Sequence, residues 1–487
     1  MRTTPGPTAA AILVGAVVIR IPAFLAVRHL SFDDGVYGAS AVALRAGGLP
    51  FRDVFSSQGP LFLPLVWLSD LLGGRTLDAP RLLAVASGVA LVAATWAAAR
   101  ALRLSPAAAA LAAGLVATSG SVLWVTGPLT SDGPGLALAT GAVAAALGYR
   151  REPGLGRAVL AGGLLGAALS VKSLLVGAAV PVGWALLPGP ADRPDSNAGG
   201  GRWLPLLAAV AAAGAVSLVV ALPWGLGNVW DQAFRYHLEA AGPRTPVRNL
   251  RKVVSTLGDR DLPLLVAVGL AAVATAARPG GRSTVGRSPG PRLVAAWLGA
   301  TVAVLALEHP LWRSHASHLV PALALLVAGV ADRFRRGGRR GAGRWPAGAA
   351  ALAVAAVLVV PYHLVHLSEV LWPAPPGPAL AAARADLRAL PAGAEVISDD
   401  PGVVWRAGRR TPDDLVDTSM LRIAAGRITP ASLARAAAGG RVCALLVWSH
   451  RFGDLGALPG LLRSGGYDPG PAYGGPRVLW RRAACHP

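Results

Sequence analysis

TAAAILVGAVVIRIPAFLAVRHLSFDDGVY, residues 8–37, joins an apolar run, interrupted by Arg20, to two adjacent carboxylates, Asp33 and Asp34. The run from Thr8 to Val27 has the roughly 20 residues that one helical crossing of a bilayer needs. No small-residue cleavage site follows it and further apolar runs do, so it reads as a retained first helix and not as a signal peptide. If that helix crosses a membrane, the acid pair stands just beyond the surface, with Phe32 before it and Tyr37 after it.

The rest of the chain supports the crossing. Of 487 residues, 53% are hydrophobic and only 15% charged, against about a quarter charged in a soluble domain; the mean hydropathy is +0.51. Runs rich in Ala, Leu, Val and Gly recur to about residue 364. We read an α-helical polytopic membrane protein with about eleven spans, near 8–28, 79–101, 106–124, 134–149, 157–172, 173–188, 204–225, 262–277, 293–308, 316–332 and 346–364. The net charge of +21 does not make a nucleic-acid surface. The cations are almost all Arg, with Lys only at 172 and 252, and they fall in short connections without forming one basic stripe. Connections such as Arg150–Arg157 and RFRRGGRRGAGR (333–344) lie on one side, which the positive-inside rule makes the cytoplasm. The expected topology is a multi-pass protein of the cytoplasmic membrane with a cytoplasmic N-terminus. The 29–78 loop, the Ser131-Asp132 turn, the 226–261 loop, the His309–His318 stretch and the tail then lie outside. Segment 60–74 is short for a crossing and reads as an interfacial helix.

Residues 1–364 form the membrane part. A Pro-rich linker, 365–378, ends in WPAPPGP. Residues 379–487 then alternate helices (ALAAARADLRAL, PASLARAAAGG, GALPGLLRSGGY) with strands (AEVISDD, RVCALLVWS, RVLWRR). That alternation predicts a small extracytoplasmic α/β domain with a mainly parallel sheet. It carries no GxGxxG or Walker motif. Cys443 and Cys485 are too few for a disulfide framework; they either pair outside the cytoplasm or remain free thiols.

Acids are scarce in the membrane half, so their placement is informative. Asp33, Asp34 and Asp132 (in TGPLTSDGPG, 126–135) all fall on the outer side and suggest a carboxylate-bearing cleft. The alternative use is helix capping by Asp33 and Asp132. Cations share that side: Lys172 in an apolar hairpin, Arg244, and Arg313, His315 and His318 within EHPLWRSHASHLVP (308–321). They suit a lipid phosphate; for Arg20 and Arg235 the alternative is snorkelling to headgroups. The His spacing matches no standard metal set, so no metal ligand is assigned, while a divalent cation is left open as a cofactor.

The run DDGVYGASAVALRAGGLPFRDVFSSQGPLFLPLVWL (33–68) resembles the first outside loop of the GT-C membrane glycosyltransferases. Among them it is most like glycosyltransferase family 39, the protein O-mannosyltransferases, and the lipid A aminoarabinose transferases. LTSDGPGLAL (129–138), ALSVKSLLVGAAVPV (168–182) and ALPWGLGNVWDQAFRYH (221–237) match further motifs in the same order. The resemblance implies a GT-C fold and transfer of a hexosyl, mannosyl or pentosyl group from a polyprenyl-phosphate donor. Transfer would be to a hydroxyl of a protein, glycan or lipid, with inversion. It implies Asp33 as general base, Asp34 and Asp132 positioning acceptor or base, and Tyr37 and Gln58 in the loop facing donor or acceptor. Where relatives often carry Lys before a Pro-Pro element, this chain has Gln58-Gly59-Pro60. Lys172, Arg313, His315 or Arg244 would then meet the donor phosphate. A lipid-linked-substrate transporter and a non-catalytic membrane scaffold are the competing classes; no inverted repeat supports the transporter.

Overall fold

The computed structural model describes residues 7–187, 202–240, 242–243, 245–276, 289–337, 359–483 and 485. The chain is mostly helical, with one four-stranded sheet near its C-terminal end. Each apolar segment named above falls on a described helix except 346–364, most of which lies outside the described residues. Among the described residues five helices are long and apolar enough to cross a membrane, or six if the bent pair Pro106–Thr118 and Gly120–Thr126 is one span. Others, such as Leu155–Val171 with 17 residues and Leu262–Ala276 with 15, fall short of the roughly 20 of a full crossing. Helices break at Ser119, where the chain bends by 60°, and at Lys172, where Leu155–Val171 gives way to a 3-10 turn.

Ala- and Gly-rich faces let these helices approach closely. Gly162 and Gly166 meet the helix Leu204–Ala221, where a Cβ would lie 2.0 Å from the Ala209 carbonyl oxygen and 2.4 Å from that of Ala213. This is the small-xxx-small packing that membrane helices use when apolar burial cannot drive association. The opposite face of Leu204–Ala221 leaves Leu204, Leu207, Val210, Leu218 and Val219 exposed, a surface that suits acyl chains and not water. Arg20 does not snorkel. It is fully buried and donates to Thr126 Oγ1 (2.9 Å) and the Ala16 carbonyl (2.8 Å).

The sheet runs β1 (Glu395–Ser398), β2 (Val442–Val447), β4 (Val478–Arg482), β3 (Tyr467–Ala472). Only β1 and β2 are parallel; β2–β4 and β3–β4 are antiparallel, which corrects the expectation of a mainly parallel sheet. The unforeseen strand is β3, YDPGPA. Its two prolines are tolerated because it lies at the sheet edge. Gly474 and Gly475, both at positive φ, turn the chain straight back into β4. Every residue of β2 is buried, which explains its unbroken apolar run. Cys443 in β2 is disulfide-bonded to Cys485.

The C-terminal segment sits on residues 26–78 and 231–239 through charged contacts. Arg406 donates to the Ala26 carbonyl (2.6 Å) and pairs with Asp78 at 2.5 Å. Arg427 pairs with Asp231 (2.6 Å) and Glu239 (2.8 Å). These bonds press residues 413–422 and Arg451 against the 29–78 and 226–240 segments, and a cavity is left between them.

Candidate active site

The acid pair opens the helix Phe32–Arg45. Ser31 is the N-cap, its hydroxyl accepting from the Asp34 N–H at 3.1 Å, so neither acid caps this helix. Successive residues on a helix point about 100° apart, and here that separates the two acids completely. Asp34 is fully buried. Its carboxylate accepts from Arg81 (3.1 and 2.5 Å), from the Leu30 N–H (2.9 Å) and from the Leu129 N–H (3.0 Å). Arg81 in turn donates to the carbonyls of Ala26 and Arg28, each at 2.7 Å. Burial alone would raise the Asp34 pKa, but Arg81 and the two backbone donors hold it below the usual carboxylate value. Asp34 thus ties the loop to the helical segment that begins at Ala79 and does not line the cavity described next.

Asp33 faces the other way, into a cavity of about 650 Å³, within the size range of small-molecule sites. Among the described residues no side chain or backbone group hydrogen-bonds or ion-pairs with its carboxylate. Burial pushes its pKa up to about 6; Lys172 opposes the rise, Asp132 and Asp417 add to it, and Arg451 opposes it. A half-buried, unpartnered carboxylate titrating near neutrality has the properties of a general base.

Asp132 is the first residue of the helix Asp132–Arg151, whose N-cap is Ser131, so the capping alternative fails here as well. It is fully buried and does not line the cavity. One oxygen accepts from Lys172 Nζ at 2.9 Å, the other lies 2.7 Å from His318 Nε2. Its role is to hold Lys172, which does line the cavity. Gln58 lines it too, accepting from Ser131 Oγ at 2.8 Å. Tyr37 packs edge-on against Phe62 with ring centres 4.5 Å apart and presents its ring to the same space.

The remaining phosphate candidates separate. His315 is buried and lines the cavity. Arg313 does not: its side chain is half-exposed and ion-paired with Asp259, which satisfies its charge outside the site. Arg244 lies outside the described residues.

Sequence reasoning missed what the C-terminal segment contributes. Asp417 lines the cavity and accepts from Ser57 Oγ at 3.0 Å. Ser57 also accepts from Gln58 Nε2 at 3.3 Å. A hydrogen-bonded row therefore runs from Asp417 through Ser57, Gln58 and Ser131 to the Lys172 pair. Arg451 reaches the cavity with its guanidinium 3.9 Å from the Phe32 ring centre. Among the described residues no group of three or more His, Cys, Asp or Glu side chains converges as metal ligands do.

No protein-family model matches the sequence, and no curated protein matches it. Solved structures do. ArnT from Cupriavidus metallidurans bound to undecaprenyl phosphate is similar over 98% of this chain and 99% of that one, with a TM-score of 0.63 at 16% identity. Its apo state gives 0.64 at 16% identity, over 98% of each chain. The apo oligosaccharyltransferase of Archaeoglobus fulgidus gives 0.54 at 14% identity, over 95% of this chain and 73% of that one. ArnT is the lipid A aminoarabinose transferase, and both proteins belong to the GT-C superfamily of membrane glycosyltransferases. The fold of this chain is the GT-C fold, as its loop motifs implied.

Proposed function

We propose that this protein transfers a sugar from a polyprenyl-phosphate donor to an acceptor hydroxyl at the outer face of the cytoplasmic membrane, with Asp33 as general base. The observation that carries the proposal is the unpartnered Asp33 carboxylate in a cavity whose other wall holds Lys172. The undecaprenyl phosphate bound to ArnT supports the donor class. In one displacement the acceptor hydroxyl gives its proton to Asp33, and its oxygen bonds to the anomeric carbon. The bond from that carbon to the phosphate oxygen breaks, and polyprenyl phosphate leaves with the electron pair. The anomeric centre inverts. Lys172 is placed to steady the charge that grows on the leaving phosphate, with Asp132 fixing its position. Residues 1–364 serve as the membrane part, 365–378 as a linker, and 379–487 as the outer domain that roofs the site with Asp417 and Arg451.

The test is the pH dependence of transfer. A base must be deprotonated, so kcat/KM should fall as pH drops below about 6, approaching tenfold per pH unit, and be level above pH 7. A profile that stays level from pH 5 to 8 excludes Asp33 as the base.

The topology has its own test. Ser464→Cys places a thiol on an exposed helix end of the C-terminal segment. A membrane-impermeant maleimide should label it on intact cells. Labelling only after permeabilisation would reverse the orientation and put the cavity on the wrong side for this chemistry.

A further inference from the structure

Three carboxyl side chains line the cavity: Asp33, Asp417 and Glu308. Asp33 is taken by the reaction. Asp417 is occupied, accepting from Ser57 Oγ (3.0 Å) and from the Ser419 N–H (2.9 Å). Glu308 is neither. Among the described residues its half-buried side chain makes no hydrogen bond and no ion pair.

Its position is built rather than incidental. Glu308 directly follows the helix Pro289–Leu307. The buried Asn249, on the helix Pro246–Arg260, donates through Nδ2 to the carbonyls of Ala306 (3.1 Å) and Glu308 (2.6 Å). Lys252, on the same helix, donates to the Leu311 carbonyl at 2.7 Å. The backbone is thus pinned before and after the Glu308 side chain, and Leu307 and His309 line the cavity beside it.

The fold gains nothing from an acid there. A helix C-terminus carries partial negative charge and disfavours a carboxylate, and no partner offsets the desolvation of this one. A local cost of that kind at a cavity wall marks a residue that serves a ligand. The ligand must donate hydrogen bonds, because a carboxylate only accepts them, and a phosphate is therefore the wrong group. Lys172 acts electrostatically on Glu308 as it does on Asp33, so both acids stand near the cation assigned to the leaving phosphate. What is joined to that phosphate is the sugar, whose ring hydroxyls are donors.

We propose that Glu308 accepts hydrogen bonds from ring hydroxyls of the transferred sugar and makes the site select a neutral sugar over one bearing a carboxylate. The inference rests on the transferase reading above. One group does both tasks: a hydroxyl fills the free acceptor, whereas a sugar carboxylate would be set beside a like charge.

The experiment measures kcat/KM for the purified full-length protein in nanodiscs with a fixed extract of acceptor membranes. The donors are the undecaprenyl-phosphate forms of glucose, mannose, arabinose, aminoarabinose and glucuronate. Wild type should use one of the hydroxyl-only sugars best and glucuronate at least roughly tenfold worse. Monodeoxy versions of that best donor are then compared. Loss of one hydroxyl should cost wild type roughly 10- to 100-fold, the worth of a hydrogen bond to a charged group. Glu308→Ala should lose about as much with the parent donor and nothing more with that deoxy donor, as a double-mutant cycle on one contact requires. Glu308→Gln keeps an acceptor oxygen without the charge. It should retain part of the hydroxyl preference, discriminate less against glucuronate and melt no lower than wild type.

Unchanged donor preference in both variants, at any melting temperature, would overturn the proposal. An effect confined to the KM of the acceptor would do the same, as would a wild-type preference for glucuronate. A preference for aminoarabinose that Glu308→Gln erases would make the partner an ammonium group and not a hydroxyl. In all these cases wild type still transfers sugar, so the transferase reading survives. No transfer by wild type from any of the donors would overturn both.

Discussion

Asp33→Asn is expected to lower sugar transfer by about 10²–10⁴-fold, the usual worth of a general base, while the protein melts no lower than wild type. The substitution keeps shape and removes proton acceptance. No hydrogen bond is lost with the charge, because among the described residues none is made. The stability side follows from the titration. The folded pKa of about 6 lies above the ordinary carboxylate value of 3.8, so the stability it contributes is full below about pH 4 and is lost as pH rises through 6. At neutral pH the ionised Asp33 is therefore a burden on the fold, and Asn removes it. Loss of activity with an unchanged or raised melting temperature separates this residue from one that only holds structure. Near-normal transfer by the purified variant would remove Asp33 from the mechanism.

Asp34→Asn should do the reverse. It leaves buried Arg81 with only Asp78, 3.7 Å away and shared with Arg406, and breaking one side of a buried pair costs about 3–5 kcal/mol, a large part of the 5–15 kcal/mol that holds a typical domain together. The expected result is a steep drop in melting temperature and in yield from membranes, with whatever protein folds retaining much of its turnover. The Asp34 carboxylate is held below its usual value, so its contribution is present above about pH 4 and lost as pH falls through the depressed folded value. A stable Asp34→Asn protein with transfer reduced as far as in Asp33→Asn would mean that both acids act in the chemistry.

How differently two neighbouring acids are used shows what the sequence can and cannot reveal. The apolar run before them, the aromatic flanks and the loop motifs made the membrane class and the likeness of fold legible, because those signals are local. The fate of Asp34 was not legible, since it depends on Arg81, 47 residues on. Asp417 gave no signal at all: its partner Ser57 is 360 residues away, and an acid in DDLVDTS reads as surface until the fold carries it to the cavity. Arg313 looked unpaired because Asp259 is 54 residues distant. Helix spans were readable from hydropathy, but where they break was not, because the breaks at Ser119 and Lys172 are stabilised by Asp261 and Asp132 from other parts of the chain. β3 escaped because its prolines read as a loop.

The most direct test is the fate of the sugar–phosphate bond. The purified wild-type protein, reconstituted with a radiolabelled undecaprenyl-phosphate sugar and an extract of acceptor membranes, should release undecaprenyl phosphate in step with label appearing in an acceptor fraction. The Asp33→Asn protein should do neither at a measurable rate. Donor recovered intact, or merely moved from one leaflet to the other by both proteins, would contradict the account and identify a carrier of lipid-linked sugar in place of a transferase.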